Sequence, residues 1–234
     1  TNPVVSSSDT AHQIEDEANK FNLAEVIQTV SITKDFSGTD TSHIDNLEGI
    51  SVVTEDGHDV SSSLAMLDAM SKCSVKGILV DCHCEDESFT ASAKEYRKRA
   101  LENKEDSELA KIQAEADLQE ANRLLALAED IATERNISLA KTAGCQLHIA
   151  HVSTANSIYA IREAKDEANF TGGGFSITCE VTPHHFALNA ETGDNLKLIV
   201  NPPLRSEVDR QALLQAFSDG TVDVISTDHA PHTL

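Results

Sequence analysis

The sequence predicts an α/β protein in which short strands alternate with helices along the chain. Six apolar or β-branched runs are separated by segments of helical period, and this order is typical of a parallel sheet. Four of the runs end in His or Asp, and in (β/α)8 barrels the functional side chains follow the carboxyl ends of the strands. The 234 residues fall a little short of the ~250 of a complete barrel. We therefore predict an incomplete (β/α)8 TIM-type barrel with about six of its eight strands.

The individual elements follow from runs, caps and turn residues. Strands are predicted at residues 24–33, 50–54, 77–82, 145–150, 176–182 and 222–226, where β-branched or apolar runs stop at polar or turn residues. Helices are predicted at residues 9–21, 42–47, 62–73, within 91–141, after 154 and at 206–217. Ser206 and Asp209 fit a capping box at the start of the last helix. A doubly wound sheet has the same order, but no glycine-rich phosphate loop follows any run.

Charge and composition narrow the classes of partner. The formal charge of −21 argues against binding to nucleic acid or to an acidic membrane surface, because phosphates are repelled. No apolar run is long enough to cross a bilayer. The five cysteines form no framework spacing, which favours a reducing cytoplasm. The sequence therefore predicts a cytoplasmic protein with no nucleic-acid or membrane partner.

The strand ends carry the candidate chemistry. Asp56, His83, His151 and Asp228 each follow a predicted strand. Imidazole and carboxylate are ligands suited to zinc, and a catalytic zinc site leaves one position open for water or substrate. A single strand-end His or Asp is more often a hydrogen-bonded structural residue, so a metal site and a structural role both remain open at this point.

Several neighbouring residues are left out of the predicted site. Cys82 and Cys84 flank His83 and point to the opposite face of the strand, which favours core packing. His148 lies on the other face of its strand from His151 and is expected to be structural. For His184 and His185, which also follow a strand, a structural role and a role in the site are more evenly balanced.

Five motifs resemble those of the dihydroorotase family. They are HCED at residues 83–86, HIAHVST at 148–154, EVTPHH at 180–185, NPPLRSEVDR at 201–210 and TDHAPH at 227–232. The resemblance is to the class I type, which has an aspartate where many other members of the amidohydrolase superfamily carry a carboxylated lysine. It covers nearly the whole chain and implies the metal-dependent amidohydrolase barrel.

The resemblance implies a reaction and a set of site residues. The reaction is the zinc-dependent interconversion of dihydroorotate and N-carbamoyl-L-aspartate in pyrimidine biosynthesis. By position, Asp56, His83, His151 and Asp228 match the ligands of one or two Zn²⁺ ions, and Asp228 also matches the general acid/base. Asn201 and His232 match residues that bind the substrate. Allantoinase or hydantoinase activity, or a non-catalytic partner of aspartate transcarbamoylase, are the alternatives, and a homodimer is a further expected assembly.

The sequence also departs from the family pattern. The HxHxR segment of the family's first strand and the asparagine of its second strand have no match here. We therefore expect residues 1–234 to form a partial catalytic barrel domain, holding strands 3 to 8 of the family barrel and lacking the flanking β-sandwich domain. On this expectation the chain alone is a poor or inactive enzyme. Residues 94–135 also look longer than the corresponding family segment.

Overall fold

A computed structural model of the chain describes residues 3–102, 107–172, 174–192 and 200–230. The chain divides into two compact units, each assembled from three segments. The first unit comprises Thr1–His83, Arg135–Ile149 and Ala164–Thr178. The second comprises Cys84–Glu134, Ala150–Glu163 and Cys179–Leu234.

The strands follow one another in the sheet in the same order as in the sequence. They are β1 (Val30–Ser31), β2 (Val52–Thr54), β3 (Leu79–Cys82), β4 (Gln146–Ile149), β5 (Ser176–Val181) and β6 (Val224–Ile225), in the order β1-β2-β3-β4-β5-β6. Parallel pairing joins β1 to β2, β2 to β3, β3 to β4 and β5 to β6. The predicted parallel α/β order is therefore confirmed, and each predicted strand range contains an observed strand.

Helices connect the strands. They are α1 (Ser8–Asn19), α2 (Ser63–Lys76), α3 (Glu87–Glu102), α4 (Glu108–Ala143), α5 (Ala155–Thr171), α6 (Pro183–Ala187) and α7 (Glu207–Ser218), with short 3-10 turns at Lys34–Phe36 and Ser42–Asn46. The predicted capping box is present, since Ser206 Oγ accepts from Asp209 N at 3.2 Å and Asp209 Oδ2 accepts from Ser206 N at 3.2 Å. Over the described residues, none of the helices combines the length and apolarity that a membrane span requires.

The first unit has an aliphatic core between its strands and α2. Its largest fully buried side chains include Ile32, Ile44, Met66, Met70, Leu147 and Ile149. Gly77 ends α2 with a φ of 70°, the left-handed conformation that allows Ile78 N to donate to Cys73 O. Asp59 binds Arg135 Nη2 and Asn136 Nδ2 at 3.0 Å each, which ties the loop after β2 to the end of α4.

The second unit contains a helical hairpin formed by α3 and the first part of α4. The two helices bury Ala93, Ala121, Leu124 and Leu125 with Phe89 and Tyr96 beside them, and bury Ala100, Ala114 and Leu118 further along. Arg99 pairs with Asp117 at 3.0 Å across the hairpin. The prediction of one or two long helices for residues 91–141 is confirmed as two, and they account for the long Ala- and Glu-rich segment.

Two predicted strands are shorter than the sequence indicates. Of residues 24–33 only Val30–Ser31 form a strand, and Ile27 is 62% exposed. Gln28 N donates to Glu15 Oε1 at 2.8 Å, so this backbone group is satisfied by α1 and not by a neighbouring strand. Of residues 222–226 only Val224–Ile225 pair, because Val222 N donates to Ala216 O at the end of α7 before the ladder begins.

Candidate active site

In the first unit, Asp56 and His83 lie at the ends of two neighbouring strands. Asp56 follows β2 in a turn with Gly57, and His83 directly follows β3. Because β2 and β3 are parallel and in register at Thr54 and Asp81, their carboxyl ends lie side by side. His83 Nε2 is 3.6 Å from Asp56 Oδ1. The structure therefore brings these two predicted ligands together.

The spacing and chemistry of this pair fit a zinc ion. Two ligands of one tetrahedral zinc, each with a bond of about 2.1 Å, have donor atoms about 3.4 Å apart. The distance of 3.6 Å between His83 Nε2 and Asp56 Oδ1 is close to that value. Cys82 and Cys84 are buried on either side of His83, at 2% and 1% exposure, which confirms that they pack in the core.

In the second unit, His151 and Asp228 follow β4 and β6 and share an unusual backbone conformation. Their φ angles are 34° and 49°, in the left-handed region that non-glycine residues rarely adopt. Cys84, one residue after His83, has a φ of 52°. Such positions are found at functional sites when the surrounding structure fixes them. Burial lowers the pKa of His151, although Glu129 and Glu180 oppose the shift, and the neutral imidazole is the form that binds metals.

His184 and His185 begin the short helix α6 and have different environments. His185 is buried, with Nδ1 2.7 Å from Thr182 Oγ1 and Nε2 3.1 Å from Pro202 O, so both ring nitrogens are used in the fold. His184 Nε2 is buried without a hydrogen-bond partner. Burial lowers the pKa of His184, while Asp228 opposes the shift, so its imidazole lies within electrostatic range of a predicted ligand. His148, by contrast, contacts Thr178 Oγ1 at 2.7 Å, in line with its predicted structural role.

A buried ion pair holds the loop that follows His151. Arg205 Nη2 is 3.0 Å from Glu129 Oε2, and both side chains are 5% exposed. Glu129 Oε1 also accepts from Ser153 N at 2.8 Å and from Thr154 N at 3.0 Å, so its carboxylate holds the loop that follows His151. Burial raises the pKa of Glu129, but Arg205 and the Ser153 and Thr154 donors outweigh burial and hold this pKa below its ordinary value.

Asn201 is an exposed residue at the start of a buried loop segment. Asn201 is exposed, whereas Pro202, Pro203, Leu204 and Arg205 are buried. The Asn201–Pro202 peptide bond is cis, and Asn201 Nδ2 donates to Glu85 Oε1. His232, the other predicted substrate-binding residue, lies outside the described residues.

Comparison with curated proteins shows one consistent relationship. The chain is 31% identical over 237 residues to the dihydroorotase of Clostridium botulinum (strain Eklund 17B / Type B), covering 100% of the chain and 50% of that protein. It is 34% identical to the dihydroorotase of Brevibacillus brevis, covering 100% of the chain and 51% of that protein. The chain is a homologue of the dihydroorotases. It spans about half the length of the curated relatives that it matches. No family model matches the chain.

Solved structures similar to this dihydroorotase homologue show its fold. L-hydantoinase (dihydropyrimidinase) from Arthrobacter aurescens superimposes with a TM-score of 0.68 at 20% identity, over 98% of the chain and 48% of that structure. Dihydropyrimidinase from Brevibacillus agri NCHU1002 gives a TM-score of 0.65 at 20% identity, over 98% of the chain and 49% of that structure. This likeness supports the predicted α/β fold class, in which parallel strands alternate with helices.

The four predicted ligands of the homologue are divided between its two units. Asp56 and His83 belong to the first unit, and His151 and Asp228 belong to the second. Among the described residues, no group of three or more His, Cys, Asp or Glu side chains is arranged to hold a metal ion. The four-ligand site therefore stays a prediction that rests on the strand ends and on the family motifs.

Sequence reasoning missed two groups that the structure makes prominent. Glu129 lies within a long helical segment whose pattern gives no sign that one glutamate is buried. Arg205 stands within the NPPLR motif, yet nothing in the spacing links it to Glu129, which lies 76 positions earlier. His184 and His185 could be singled out by their position after β5, but only the structure separates the satisfied imidazole from the one with a buried, unpartnered nitrogen.

Proposed function

We propose that this chain is part of a zinc-dependent dihydroorotase, which interconverts dihydroorotate and N-carbamoyl-L-aspartate in de novo pyrimidine synthesis. The observation that carries the proposal is the similarity to dihydroorotases along the entire chain, at 31–35% identity. The ligand-type side chains at the strand ends support it, since cyclic amide hydrolysis needs an activated water and a proton acceptor.

Four side chains would hold the metal in this proposal. Asp56, His83, His151 and Asp228 would bind one or two Zn²⁺ ions through imidazole nitrogen and carboxylate oxygen. When bound, zinc polarises the amide carbonyl and lowers the pKa of a water molecule. The paired spacing of Asp56 and His83 and the burial-lowered pKa of His151 both suit this role.

The remaining steps fall to the protein side chains. In hydrolysis, Asp228 would take a proton from the attacking water and return it to the ring nitrogen as the C–N bond breaks, and in ring closure it would do the reverse. Its exposed position and left-handed φ present the carboxylate at the end of β6. Asn201 and His232 would bind the ring and the carboxylate of the substrate, and thereby orient the ring amide.

The test is dihydroorotate hydrolysis by the protein that carries this sequence, with zinc supplied. Asp228→Asn should reduce kcat by at least about 100-fold because the proton acceptor is lost. His151→Ala should mainly reduce the zinc content, measured by metal analysis, because an imidazole ligand is lost. Asp166→Asn on α5, outside the proposed site, serves as the matched control and should retain wild-type kcat. Full activity of Asp228→Asn would refute the assigned roles.

A second candidate is a hydantoinase- or allantoinase-type cyclic amidohydrolase. The structural neighbours favour it, because a dihydropyrimidinase and an L-hydantoinase share the fold. Rates on dihydroorotate, hydantoin and allantoin, measured side by side, separate the two. A protein that binds zinc and hydrolyses none of the three would point to a non-catalytic partner of aspartate transcarbamoylase.

We also propose a cellular location and the partners of the enzyme. We infer a cytoplasmic location, which the cysteine pattern favours, and a small-molecule substrate, which the similarity to dihydroorotases supports. The acidic composition argues against a nucleic-acid partner. A homodimer or a complex with aspartate transcarbamoylase is expected from the family. Size-exclusion chromatography with light scattering, with and without that partner, tests both assemblies.

A further inference from the structure

The loop that carries Asn201 is anchored at most of its described positions. Val200 O accepts from Arg97 Nη2 at 3.3 Å, and Pro202 O lies 3.1 Å from His185 Nε2. Arg205 is fixed by Glu129, and its carbonyl accepts from Ala190 N at 2.7 Å. Asn201 is the exposed residue within this held loop. Its backbone is thus positioned by neighbours on both sides, and only the rotation of its carboxamide remains to be set.

Glu85 sets that rotation. Asn201 Nδ2 donates to Glu85 Oε1. Glu85 Oε1 is the acceptor of this hydrogen bond, so the contact selects the NH₂ group of the carboxamide and turns its carbonyl oxygen away from Glu85. The orientation of the amide follows from this donor–acceptor pairing, although the amide oxygen and nitrogen have nearly the same shape. The consequence is that Asn201 Oδ1 is presented as an acceptor.

Burial raises the pKa of Glu85, whereas the hydrogen bond from Asn201 and the cations Lys94 and Arg97 oppose this shift. Its side chain is half-buried, and Lys94 and Arg97 of α3 lie within electrostatic range of it. Arg97 also holds Val200 O, so one cation contacts the loop next to Asn201 and acts on the carboxylate that binds Asn201. Glu85 follows His83 by two residues, which places the amide-orienting carboxylate on the same strand end as a predicted ligand.

We infer that Glu85 is a positioning residue, which orients Asn201 so that its Oδ1 accepts a hydrogen bond from a ring N–H of the cyclic amide substrate. This inference rests on the proposed function, because it takes Asn201 to contact the substrate ring. It also assigns a specificity: a ring that presents N–H at this point is bound, and a ring that presents an oxygen or an N-alkyl group there is not. A lost hydrogen bond of this kind weakens binding by about tenfold.

The experiment measures KM and kcat for dihydroorotate in the protein that carries this sequence, with zinc supplied. In Glu85→Gln the new amide can donate or accept, so Asn201 is no longer held in one orientation. We expect KM to rise about tenfold while kcat stays within about threefold of wild type. This is the pattern expected when an interaction made equally in the ground state and the transition state is lost. Glu95→Gln, an exposed position on α3 that removes the same charge, should leave both values unchanged.

A reciprocal exchange separates orientation from a merely structural effect. Asn201→Asp alone sets two carboxylates against each other and should raise KM more than Glu85→Gln does. The double variant Glu85→Gln/Asn201→Asp restores a donor facing an acceptor and again presents an oxygen to the substrate. We expect its KM to return to within about threefold of wild type, because the hydrogen-bond pairing is re-established.

The outcomes distinguish the inference from the proposed function. If wild type hydrolyses dihydroorotate and Glu85→Gln leaves KM unchanged, or if the double variant is as impaired as the two single changes combined, the inference is overturned and the function stands. If wild type hydrolyses hydantoin and not dihydroorotate, the function is overturned and the same variants test the inference on hydantoin. Inactivity of wild type on both substrates overturns the two together.

Discussion

Replacing Arg205 by methionine should strongly destabilise the second unit. Arg205 donates from Nε to Ser153 Oγ at 2.9 Å, from Nη1 to Asn122 O at 3.0 Å, and from Nη2 to Leu125 O at 3.1 Å and Glu129 Oε2 at 3.0 Å. Methionine keeps much of the length but provides none of these donors. The Glu129 carboxylate would then be buried without its counter-ion, which typically costs about 3–5 kcal/mol.

The lower part of that range is the better expectation. Glu129 keeps the N–H donors of Ser153 and Thr154 when Arg205 is removed, so part of its charge remains satisfied. We expect the free energy of unfolding to fall by about 3 kcal/mol, a large fraction of the ~5–15 kcal/mol of a typical protein. For a chain of this size the thermal midpoint should fall by about 6–12 °C.

The assay is urea unfolding followed by circular dichroism, with Arg123→Met as the matched control. Arg123 binds Glu120 with two hydrogen bonds, but both groups lie on the surface of α4 and form an i,i+3 pair. Its loss should cost no more than about 0.5 kcal/mol, because exposed ion pairs contribute little. The double variant Arg205→Met/Glu129→Gln should be less destabilised than the sum of the single changes, since it leaves no unpaired charge. Equal costs for Arg205→Met and Arg123→Met would refute the reasoning.

Two further predictions concern pH and thiol chemistry. Burial, with a smaller effect of His184, lowers the pKa of His185 from 6.5 to about 4, so neutral His185 stabilises the fold fully above pH 6.5 and this contribution is lost as the pH falls towards 4. In urea unfolding, the free energy of unfolding should fall by about 3 kcal/mol between pH 7.5 and 4.5. This fall should be smaller in His185→Gln, and an equal fall in that variant would contradict the assignment. Burial raises the pKa of Cys73 and Cys145 to about 12, and all five cysteines are buried thiols. Ellman's reagent at pH 8 should therefore label none of them in the folded protein and all of them in urea, and rapid labelling of the native protein would contradict this prediction.

The sequence was most informative where the determining interactions are local. The capping box at Ser206 and Asp209 depends on residues three positions apart, and the structure contains both of its hydrogen bonds. The strand ends at His83 and His151 were also located, because a polar residue after an apolar run marks the end of a buried strand. Alternation along a strand correctly placed Cys82 and Cys84 in the core.

The errors and omissions lie where distant segments decide the outcome. Residues 24–33 have the β-branched composition of a strand, but a strand needs a partner along its whole length, and β1 pairs with β2 over two residues only. The burial of Glu129 depends on Arg205, Ser153 and Thr154, which come from two other segments of the chain. No periodicity in a helix of 36 residues can reveal such a requirement.

The buried pair also explains how His151 can hold its left-handed backbone. A φ of 34° at a non-glycine residue costs about 1–3 kcal/mol and persists only if its surroundings fix it. The three N–H groups that follow are all bound: Val152 N to Glu180 O at 2.9 Å, then Ser153 N and Thr154 N to Glu129. Two of the three bonds end on the carboxylate that Arg205 neutralises. The ion pair therefore stabilises the backbone geometry that presents His151, and disrupting it should disturb this strand end before the apolar core of the unit is affected.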